Sequence, residues 1–171
     1  MRIETDRLII TQFTLDMARA VHENSLDEDN RRFVPDEVFE TEEEARDTIA
    51  FLMNCYSGEG PRVYPVLIKQ GGENIGHVQL VPLGDGQWEI GYHIAKEHTG
   101  KGYATEAVTA FLPVISEEAG AREVLGICLK DNAASKRVLQ KCGFEKTYEG
   151  PGDYQGEERE IFRSLWKRPE K

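Results

Sequence analysis

The chain has 171 residues, of which 31 are acidic and 21 basic, and its formal net charge is −10. This length suits one domain with a sizeable core, here residues 1–171. The acidic balance excludes an ordinary nucleic-acid binder, because phosphate contacts need clustered Lys and Arg. No run of about 18 apolar residues and no apolar signal core is present, so we expect neither a membrane partner nor secretion. The three cysteines lack metal-ligand spacing, which predicts reduced thiols, no metal and a cytoplasmic protein.

Hydrophobic periodicity and turn residues predict one strand, two helices and three strands in the first half of the chain. Short glycine turns between the three middle strands indicate antiparallel hairpins. The second helix opens with a capping box. The predicted elements are a strand at Arg7–Phe13, a helix from Thr14 to about Asp27, a loop over Arg31–Glu40, a helix from Thr41 to Gly58, and strands at Arg62–Gln70, Asn74–Leu83 and Gln87–Ala95.

The second half predicts helix, strand, helix and a final hairpin. An apolar stripe runs from Ala104 to Ala119, but a proline inside a helix costs about 3 kcal/mol, so we expect a bend or an early end at Pro113. The next strand is reached through a helix and should therefore lie parallel to the strand before it. These later elements are a strand at Arg122–Lys130, a helix capped by Asn132 and ended by Gly143, and strands at Glu145–Glu149 and Glu158–Trp166 joined across Pro151–Gly156.

A glycine loop joins the third middle strand to the long helix. Gly100 and Gly102 bracket Lys101, and the first N–H groups of the helix have no intrahelical partners, which is typical of a phosphate site. The lysine between the glycines excludes a nucleotide-hydrolysing P-loop, and Thr105 stands where a dinucleotide fingerprint has its third glycine. A plain turn is the alternative for a lone G-x-G pattern.

Several stretches, taken together and in order, span nearly the whole chain. They are Thr5-Asp6-Arg7-Leu8, Glu89-Ile90-Gly91-Tyr92, Gly100–Ala107, Asn132–Ser135 with Val138-Leu139, and Cys142-Gly143-Phe144. The set resembles the GNAT superfamily of acyl-CoA-dependent N-acetyltransferases, most of all its RimJ/RimL-like branch, which acetylates ribosomal-protein N-termini. The resemblance implies an α/β (α+β) fold with a mixed, mostly antiparallel sheet, helices on both faces and a splayed central pair of parallel strands.

The resemblance also implies acetyl-CoA as co-substrate and a primary amine as acceptor. Backbone N–H groups of the glycine loop would hold the pyrophosphate, Lys101 would add charge, and the splayed strand edges would hold the pantetheine arm. Asn132 would touch the coenzyme or serve as a plain N-cap, and these two roles are compatible. The implied coenzyme-binding residues are Ile94, Ala95, Gly100, Lys101, Gly102, Tyr103, Ala104, Thr105 and Asn132.

Acetyl transfer to an amine needs a base for the amine and an acid for the leaving thiolate. Side chains alternate along a strand, so Glu89 and His93 share one face and Tyr92 lies on the other. Glu89 is the first candidate for the base and His93 the second, with a salt bridge and a packed histidine as the alternatives. Ser135 resembles the serine that this branch uses as the acid, and a helix-capping serine is the alternative.

The region of the first two helices carries several acids where the resemblance places the acceptor. A peptide N-terminus, a polyamine or an aminoglycoside-like amine would suit such a region, whereas a solvated charged rim is the simpler alternative. The alternative function is a catalytically inactive acyl-CoA-binding or sensor module, and a monomer and a homodimer both stay open. The acids are Asp27, Glu28, Asp29, Asp36, Glu37 and Glu40.

Overall fold

Eight strands and five α-helices make up the fold of residues 1–170, the part of the chain that this computed structural model describes. The strands are β1 (Ile3–Glu4), β2 (Leu8–Ile10), β3 (Arg62–Ile68), β4 (Asn74–Gly84), β5 (Gln87–Ile94), β6 (Glu123–Leu129), β7 (Glu145–Tyr154) and β8 (Glu157–Lys167). The helices are α1 (Ala18–Asn24), α2 (Glu28–Phe33), α3 (Glu42–Cys55), α4 (Tyr103–Glu118) and α5 (Ala133–Lys141).

All eight strands belong to one mixed sheet, in the order β1-β2-β3-β4-β5-β6-β8-β7. β5 and β6 are parallel, and the other neighbouring pairs are antiparallel. The parallel pair follows from α4, which carries the chain back across the sheet between the two strands. The predicted fold class is confirmed.

Helices cover both faces of the sheet, and each face has its own apolar cluster. The larger cluster joins α4 and α5 to the sheet and contains the fully buried side chains of Phe111 and Leu139. The smaller one joins α1 and α3 to the other face, around Ala18, Ile49 and Val63. Because both faces of β4 and β5 are covered, side chains from either face of these strands lie inside the protein.

Two predictions for the N-terminal region are wrong. The strand predicted at Arg7–Phe13 is only Leu8–Ile10, because the chain then leaves the sheet and the Phe13 N–H donates to Tyr56 Oη at 3.0 Å. The loop predicted from Arg31 contains the end of α2. Asp27 begins this helix by accepting a hydrogen bond from the Asn30 N–H at 2.7 Å, so the acidic run opens a helix instead of ending one.

Two later predictions also need correction. Of the bend or early end predicted at Pro113, the early end is wrong: α4 runs on to Glu118, because the burial of Leu112 and Ile115 in the main core offsets the cost of the proline. The final hairpin turns at Gln155 and Gly156, both with positive φ, and β7 therefore extends through Pro151. Pro151 is tolerated there because β7 is the edge strand of the sheet.

The described residues contain neither a membrane-spanning helix nor a metal-binding cluster. No helix within residues 1–170 combines the length and the apolar composition that crossing a membrane requires. The same residues bring no three His, Cys, Asp or Glu side chains into a metal-binding group. Cys55, Cys128 and Cys142 are free thiols.

Gly126 allows α5 to pack closely on β6, and this generates a prediction about stability. A Cβ at this position would lie 2.5 Å from Leu139 Cδ2 and 2.9 Å from Ser164 Oγ. We expect Gly126→Ala to lower the free energy of unfolding by about 1–3 kcal/mol in urea titrations, because the contact must be relieved by moving α5. Gly58→Ala is the control, since the nearest atom there is 4.0 Å away. Equal stabilities of the two variants would contradict this role.

Candidate active site

The central feature of the site is a gap between β5 and β6. Their register is limited to the pair Glu89↔Leu125. Each strand is hydrogen-bonded along its outer edge, β5 to β4 and β6 to β8, so the edges that face each other beyond this pair are free. Free strand edges can bind an extended chain as an added strand. A cavity of about 870 Å³ occupies the gap, and both Glu89 and Tyr92, from opposite faces of β5, line it.

The glycine loop lies at one end of this cavity and leads into α4. Gly100 and Gly102 have φ of 76° and 81°, the left-handed region that glycine adopts with least strain. Gly102 is the N-cap of α4, and within residues 1–170 no side-chain hydrogen bond caps the start of this helix. The first N–H groups of α4, at Tyr103 and Ala104, have no intrahelical acceptor, and both residues line the cavity. This arrangement suits an anion such as phosphate.

Arg7, from the N-terminal segment, holds the glycine loop from behind. Its Nη1 donates to the Lys101 carbonyl at 2.9 Å, and its Nε donates to Glu106 Oε2 at 2.7 Å. Its guanidinium also stacks over the Tyr103 ring at 4.4 Å. Thr5 Oγ1 donates to Glu106 Oε1 at 2.6 Å, so the start of the chain is tied to the first turn of α4.

Glu106 is ionised in this setting. Burial raises the pKa of its carboxyl, but hydrogen bonds from Thr5 and Arg7 outweigh that effect and lower the pKa below its usual value. A lowered pKa means that these hydrogen bonds stabilise the fold above the ordinary carboxyl pKa, and that this stabilisation is lost as the pH falls. Arg7 belongs to one of the sequence motifs, but its role is not visible in the sequence because its partners Lys101 and Glu106 lie 94 and 99 residues away.

Basic side chains from α5 line the cavity beside the glycine loop. Cys142 Sγ, just after α5, lies 3.7 Å from the Thr105 carbonyl oxygen, so the end of α5 runs next to the start of α4. Arg137 and Lys141, one helical turn apart on α5, line the cavity on this side. The candidate phosphate-binding site at the glycine loop therefore has cationic side chains near it, although the net charge of the chain is negative.

Seven of the nine predicted coenzyme residues line the cavity, namely Ile94, Gly100, Gly102, Tyr103, Ala104, Thr105 and Asn132. Asn132 also caps α5, since its Oδ1 accepts from the Ser135 N–H at 3.1 Å. Ala95 lies outside the lining, and its N–H donates to the Ile75 carbonyl at 2.7 Å. Lys101 is exposed outside the lining, and only its backbone carbonyl takes part in the loop contacts described above.

Glu89 lies where β5 and β6 part, on the face that α2 covers. Within residues 1–170 its carboxylate has neither a hydrogen bond nor an ion pair. Burial, followed by the negative charges of Glu37 and Asp36, raises the pKa of Glu89 to about 7. A carboxylate with such a pKa takes up and releases protons near neutral pH, as a general base must.

Glu37 is held above the same strand by two neighbours from β4. Gln79 Nε2 donates to its Oε1 at 3.0 Å, and His77 Nε2 lies 3.3 Å from its Oε2. Gln79 reaches Glu37 by crossing Gly91, its register partner on β5, where a Cβ would lie 2.4 Å from Gln79 Nε2. A glycine at position 91 is therefore required for Gln79 to hold Glu37 on the acidic side of the cavity. The sequence alone does not show this requirement.

His93, the second candidate for the base, is engaged with α2. Its Nε2 lies 3.3 Å from Asp27 Oδ2, while Asp27 Oδ1 caps the helix. The hydrogen bond from His93 is the main reason why the pKa of Asp27 is lowered. The geometry gives His93 a role in positioning α2. Of the two candidates for the general base, Glu89 is the one that has no hydrogen bond or ion pair within residues 1–170.

Ser135 lies on the opposite face of the gap and is paired with Tyr92, whose role was not predicted from the sequence. Tyr92 Oη donates to the Ser135 carbonyl at 2.9 Å and lies 2.8 Å from Ser135 Oγ. Burial raises the pKa of Tyr92, so its hydroxyl is neutral. Strand alternation placed Tyr92 away from Glu89, correctly, but the cavity passes through the sheet and reaches both faces.

Residues 27–37, which we call the cover segment, bridge the mouth of the gap. On the β5 side, Lys96 Nζ lies 2.5 Å from Asp29 Oδ2, and on the β6 side Arg32 Nη2 lies 2.5 Å from Asp131 Oδ2. Tyr154, the last residue of β7, contributes a hydrogen bond from its Oη to the Phe33 carbonyl at 2.5 Å. The cover segment is thus tied to both sides of the split sheet.

The contacts of Arg7 generate a prediction about coenzyme binding. We expect Arg7→Ala to weaken coenzyme A binding about five- to tenfold in calorimetry, because a partly exposed guanidinium then no longer holds the loop and Glu106. Arg19→Ala is the control, since Arg19 pairs with Glu23 on the exposed side of α1. Equal affinities of the two variants would show that the glycine loop keeps its shape without Arg7.

Comparisons with known proteins agree with this geometry. The family model of the acetyltransferase (GNAT) domain matches residues 7–145. The uncharacterized N-acetyltransferase YnaD of Bacillus subtilis (strain 168) is 32% identical over 147 residues, which are 85% of this chain and 84% of that protein. The crystal structure of a GNAT-family acetyltransferase from Bacillus anthracis aligns with a TM-score of 0.83 at 26% identity, covering 98% of this chain and 99% of that one.

A third similarity concerns the fold alone. RimL, a ribosomal L7/L12 alpha-N-protein acetyltransferase in complex with coenzyme A, aligns with a TM-score of 0.82 at 16% identity and covers 98% of both chains. Together, the family match over most of the chain and the relatives of nearly equal length show that this chain belongs to the GNAT acetyltransferase family.

Proposed function

We propose that this GNAT acetyltransferase transfers an acetyl group directly from acetyl-CoA to a primary amine, on a peptide N-terminus or a small cationic molecule. The observation that carries the proposal is the cavity between β5 and β6. It leads from the unpaired N–H groups of the glycine loop to the unpaired carboxylate of Glu89. The RimJ/RimL-like branch fits the sequence motifs, and its ribosomal-protein acceptors are part of the same proposal.

The residues present suit the coenzyme. Backbone N–H groups at Gly102–Ala104 would bind the pyrophosphate, with Arg137 and Lys141 supplying the positive charge beside it. The free edges of β5 and β6 would bind the amide groups of the pantetheine arm. Acetyl-CoA supplies the activated thioester, and the gap would place this group near the middle of the sheet.

The acceptor would enter from the acidic side, beneath the cover segment. Amines are protonated at neutral pH, and only a neutral amine attacks an acyl carbon. Glu89, with a pKa of about 7 and no competing partner within residues 1–170, would take the amine proton directly or through water. The neighbouring carboxylates draw the cationic amine in and also keep Glu89 basic enough to accept its proton.

The leaving sulfur would be protonated from the opposite face of the gap. Tyr92 Oη donates to the Ser135 carbonyl at 2.9 Å and lies 2.8 Å from Ser135 Oγ, which fixes the position of the Ser135 hydroxyl. Ser135 is the residue that the sequence motifs favour for this role. Ser135 would give its hydroxyl proton to the leaving thiolate and regain one from water, while Tyr92, which stays neutral, would position the Ser135 hydroxyl.

Turnover is tested by following thiol release from acetyl-CoA across a panel of peptide N-termini, polyamines and aminoglycosides. We expect release with at least one amine and a matching acetylated product by mass spectrometry. Acetyl-CoA binding without transfer to any amine would instead select the inactive sensor module. Absence of both acetyl-CoA binding and acetyl transfer would refute the proposed function.

The role of Glu89 predicts opposite effects on rate and stability. Glu89→Gln should lower kcat at least about 100-fold at pH 7.5, and kcat/KM of the wild type should rise with pH through about 7. A carboxyl pKa raised by folding destabilises the folded state as the pH increases past the ordinary value. The same variant should therefore be more stable at pH 8, by about 1–3 kcal/mol.

Glu43→Gln is the matched control for Glu89→Gln, because Glu43 lies on the exposed side of α3. We expect neither its kcat nor its stability at pH 8 to differ measurably from the wild type. An unchanged pH–rate profile in Glu89→Gln would transfer the base role to another group.

If the glycine loop binds phosphate, a substitution in this loop should weaken coenzyme A binding, whereas an equally destabilising substitution elsewhere should not. Gly102→Ala and Gly120→Ala place a Cβ at similar left-handed residues, with φ of 81° and 68°, at opposite ends of α4. Both should lower stability by about 1–2 kcal/mol. Only Gly102→Ala should weaken coenzyme A binding in calorimetry, because it changes the N–H groups that face the cavity. Unaltered affinity in that variant would refute the phosphate role.

A further inference from the structure

One arginine that lines the cavity has no anionic partner. Arg163, in β8, is half-buried and belongs to the cavity lining. Its side chain forms neither a hydrogen bond nor an ion pair with any of residues 1–170. A guanidinium carries five N–H donors in a rigid fork that matches a carboxylate or a phosphate. These donors are available to a group that the described chain does not supply.

The strand register places Arg163 on the same face of the sheet as Glu89. Glu89 pairs with Leu125 between the parallel strands, and Ile127, two residues further along β6, pairs with Arg163. Register partners project to the same face, as do residues two apart on one strand. Strands lie about 4.8 Å apart and rise about 3.3 Å per residue, so the Cα atoms of Glu89 and Arg163 are separated by about 12 Å. Both side chains therefore project into the acidic side of the cavity, from strands that are not neighbours.

The guanidinium of Arg163 is positioned by a contact that does not use its donors. Its central carbon lies over the ring of Tyr148, its register partner on β7, at 5.6 Å from the ring centre. Tyr148 is held in turn, since its Oη donates to the Pro151 carbonyl at 2.7 Å. A guanidinium over an aromatic face keeps the edge with its N–H groups free to bind an anion.

The other lysine and arginine side chains of the cavity lining have different surroundings. Lys96 is paired with Asp29 of the cover segment. Arg137 and Lys141 belong to α5, which packs on the opposite face of the sheet, next to the glycine loop. Among the described residues, Arg163 is thus the one unpaired lysine or arginine that lines the acidic side.

We propose that Arg163 is a specificity-determining residue, which binds an anionic group that the acceptor carries apart from its reacting amine. This inference rests on the proposed function, because it assigns the reacting amine to Glu89. The amine and the anion must lie several bonds apart, since Glu89 and Arg163 project from strands on either side of β6. One residue of extended chain spans about 3.5 Å, so a dipeptide or an ω-amino acid has the required length.

Binding is measured by calorimetry on the complex with coenzyme A, which lacks the acetyl group, so affinity is read without turnover. Two ligand pairs differ only in the anion: 5-aminopentanoate with 5-aminopentanamide, and Ala-Glu amide with Ala-Gln amide. We expect the anionic member of at least one pair to bind about fivefold or more tightly, as a charge-assisted pair with arginine provides. The net charge of −10 would give the reverse order if only the overall field acted.

Three variants test the assignment to Arg163. Arg163→Gln keeps a polar side chain without the charge and should abolish the preference for the anionic ligand. Arg163→Lys keeps the charge without the fork and should retain part of it. Arg159→Gln is the control, because Arg159 lies on the same strand, is paired with Glu157 at 3.8 Å and lies outside the cavity lining. Coenzyme A affinity, which should be unchanged in all three, shows that each variant is folded.

Each outcome separates this inference from the proposed function. A preference confined to the Ala-Glu pair supports the Arg163 site with a peptide as its ligand, and one confined to 5-aminopentanoate supports it with a small molecule. Equal affinities within both pairs, or a preference that survives in Arg163→Gln, would overturn the inference. Acetyl transfer without any such preference leaves the proposed function standing. A preference without transfer to any amine refutes the transfer and retains the anion site.

Discussion

The parting of β5 and β6 after one register pair is the constraint on which the rest of the structure depends. A sheet strand normally satisfies its backbone groups with two neighbours, and leaving an edge unpaired inside a protein is unfavourable. Here the gap is tolerated because β4 and β8 hold the outer edges of the two strands along nearly their whole length. The free inner edges are then available to an extended ligand, and a cavity opens between the two strands at the centre of the sheet.

Contacts between residues that lie far apart in the sequence maintain the shape of the gap between β5 and β6. Arg7 joins the N-terminal segment to the glycine loop on one face, and the cover segment bridges the two halves of the sheet on the other. Most of these contacts are partly exposed ion pairs, each of which contributes little to global stability. Their effect is on position, since they fix loops whose backbone groups and carboxylates must converge on one cavity.

Much of this was predictable from local pattern, and the exceptions share a physical cause. Periodicity and glycine turns predicted the sheet, its parallel pair and the loop before α4, because those signals lie within a few neighbouring residues. α2 was missed because the predicted first helix ends near the acidic run, whereas Asp27, the first residue of that run, caps the next helix. The roles of Tyr92 and Gly91 were missed because each depends on a partner, Ser135 or Gln79, that only the folded sheet brings near.

The acidic side of the cavity shows why such a site is kept at the expense of stability. Glu37 could be neutralised by a lysine in place of His77, and Glu89 by any nearby cation, and either change would reduce the repulsion that raises the pKa of Glu89. A neutralised Glu89 would be a weaker base and would no longer attract an amine. In the proposed function, the unpaired carboxylates are the negative half of an interaction whose positive half is the amine substrate.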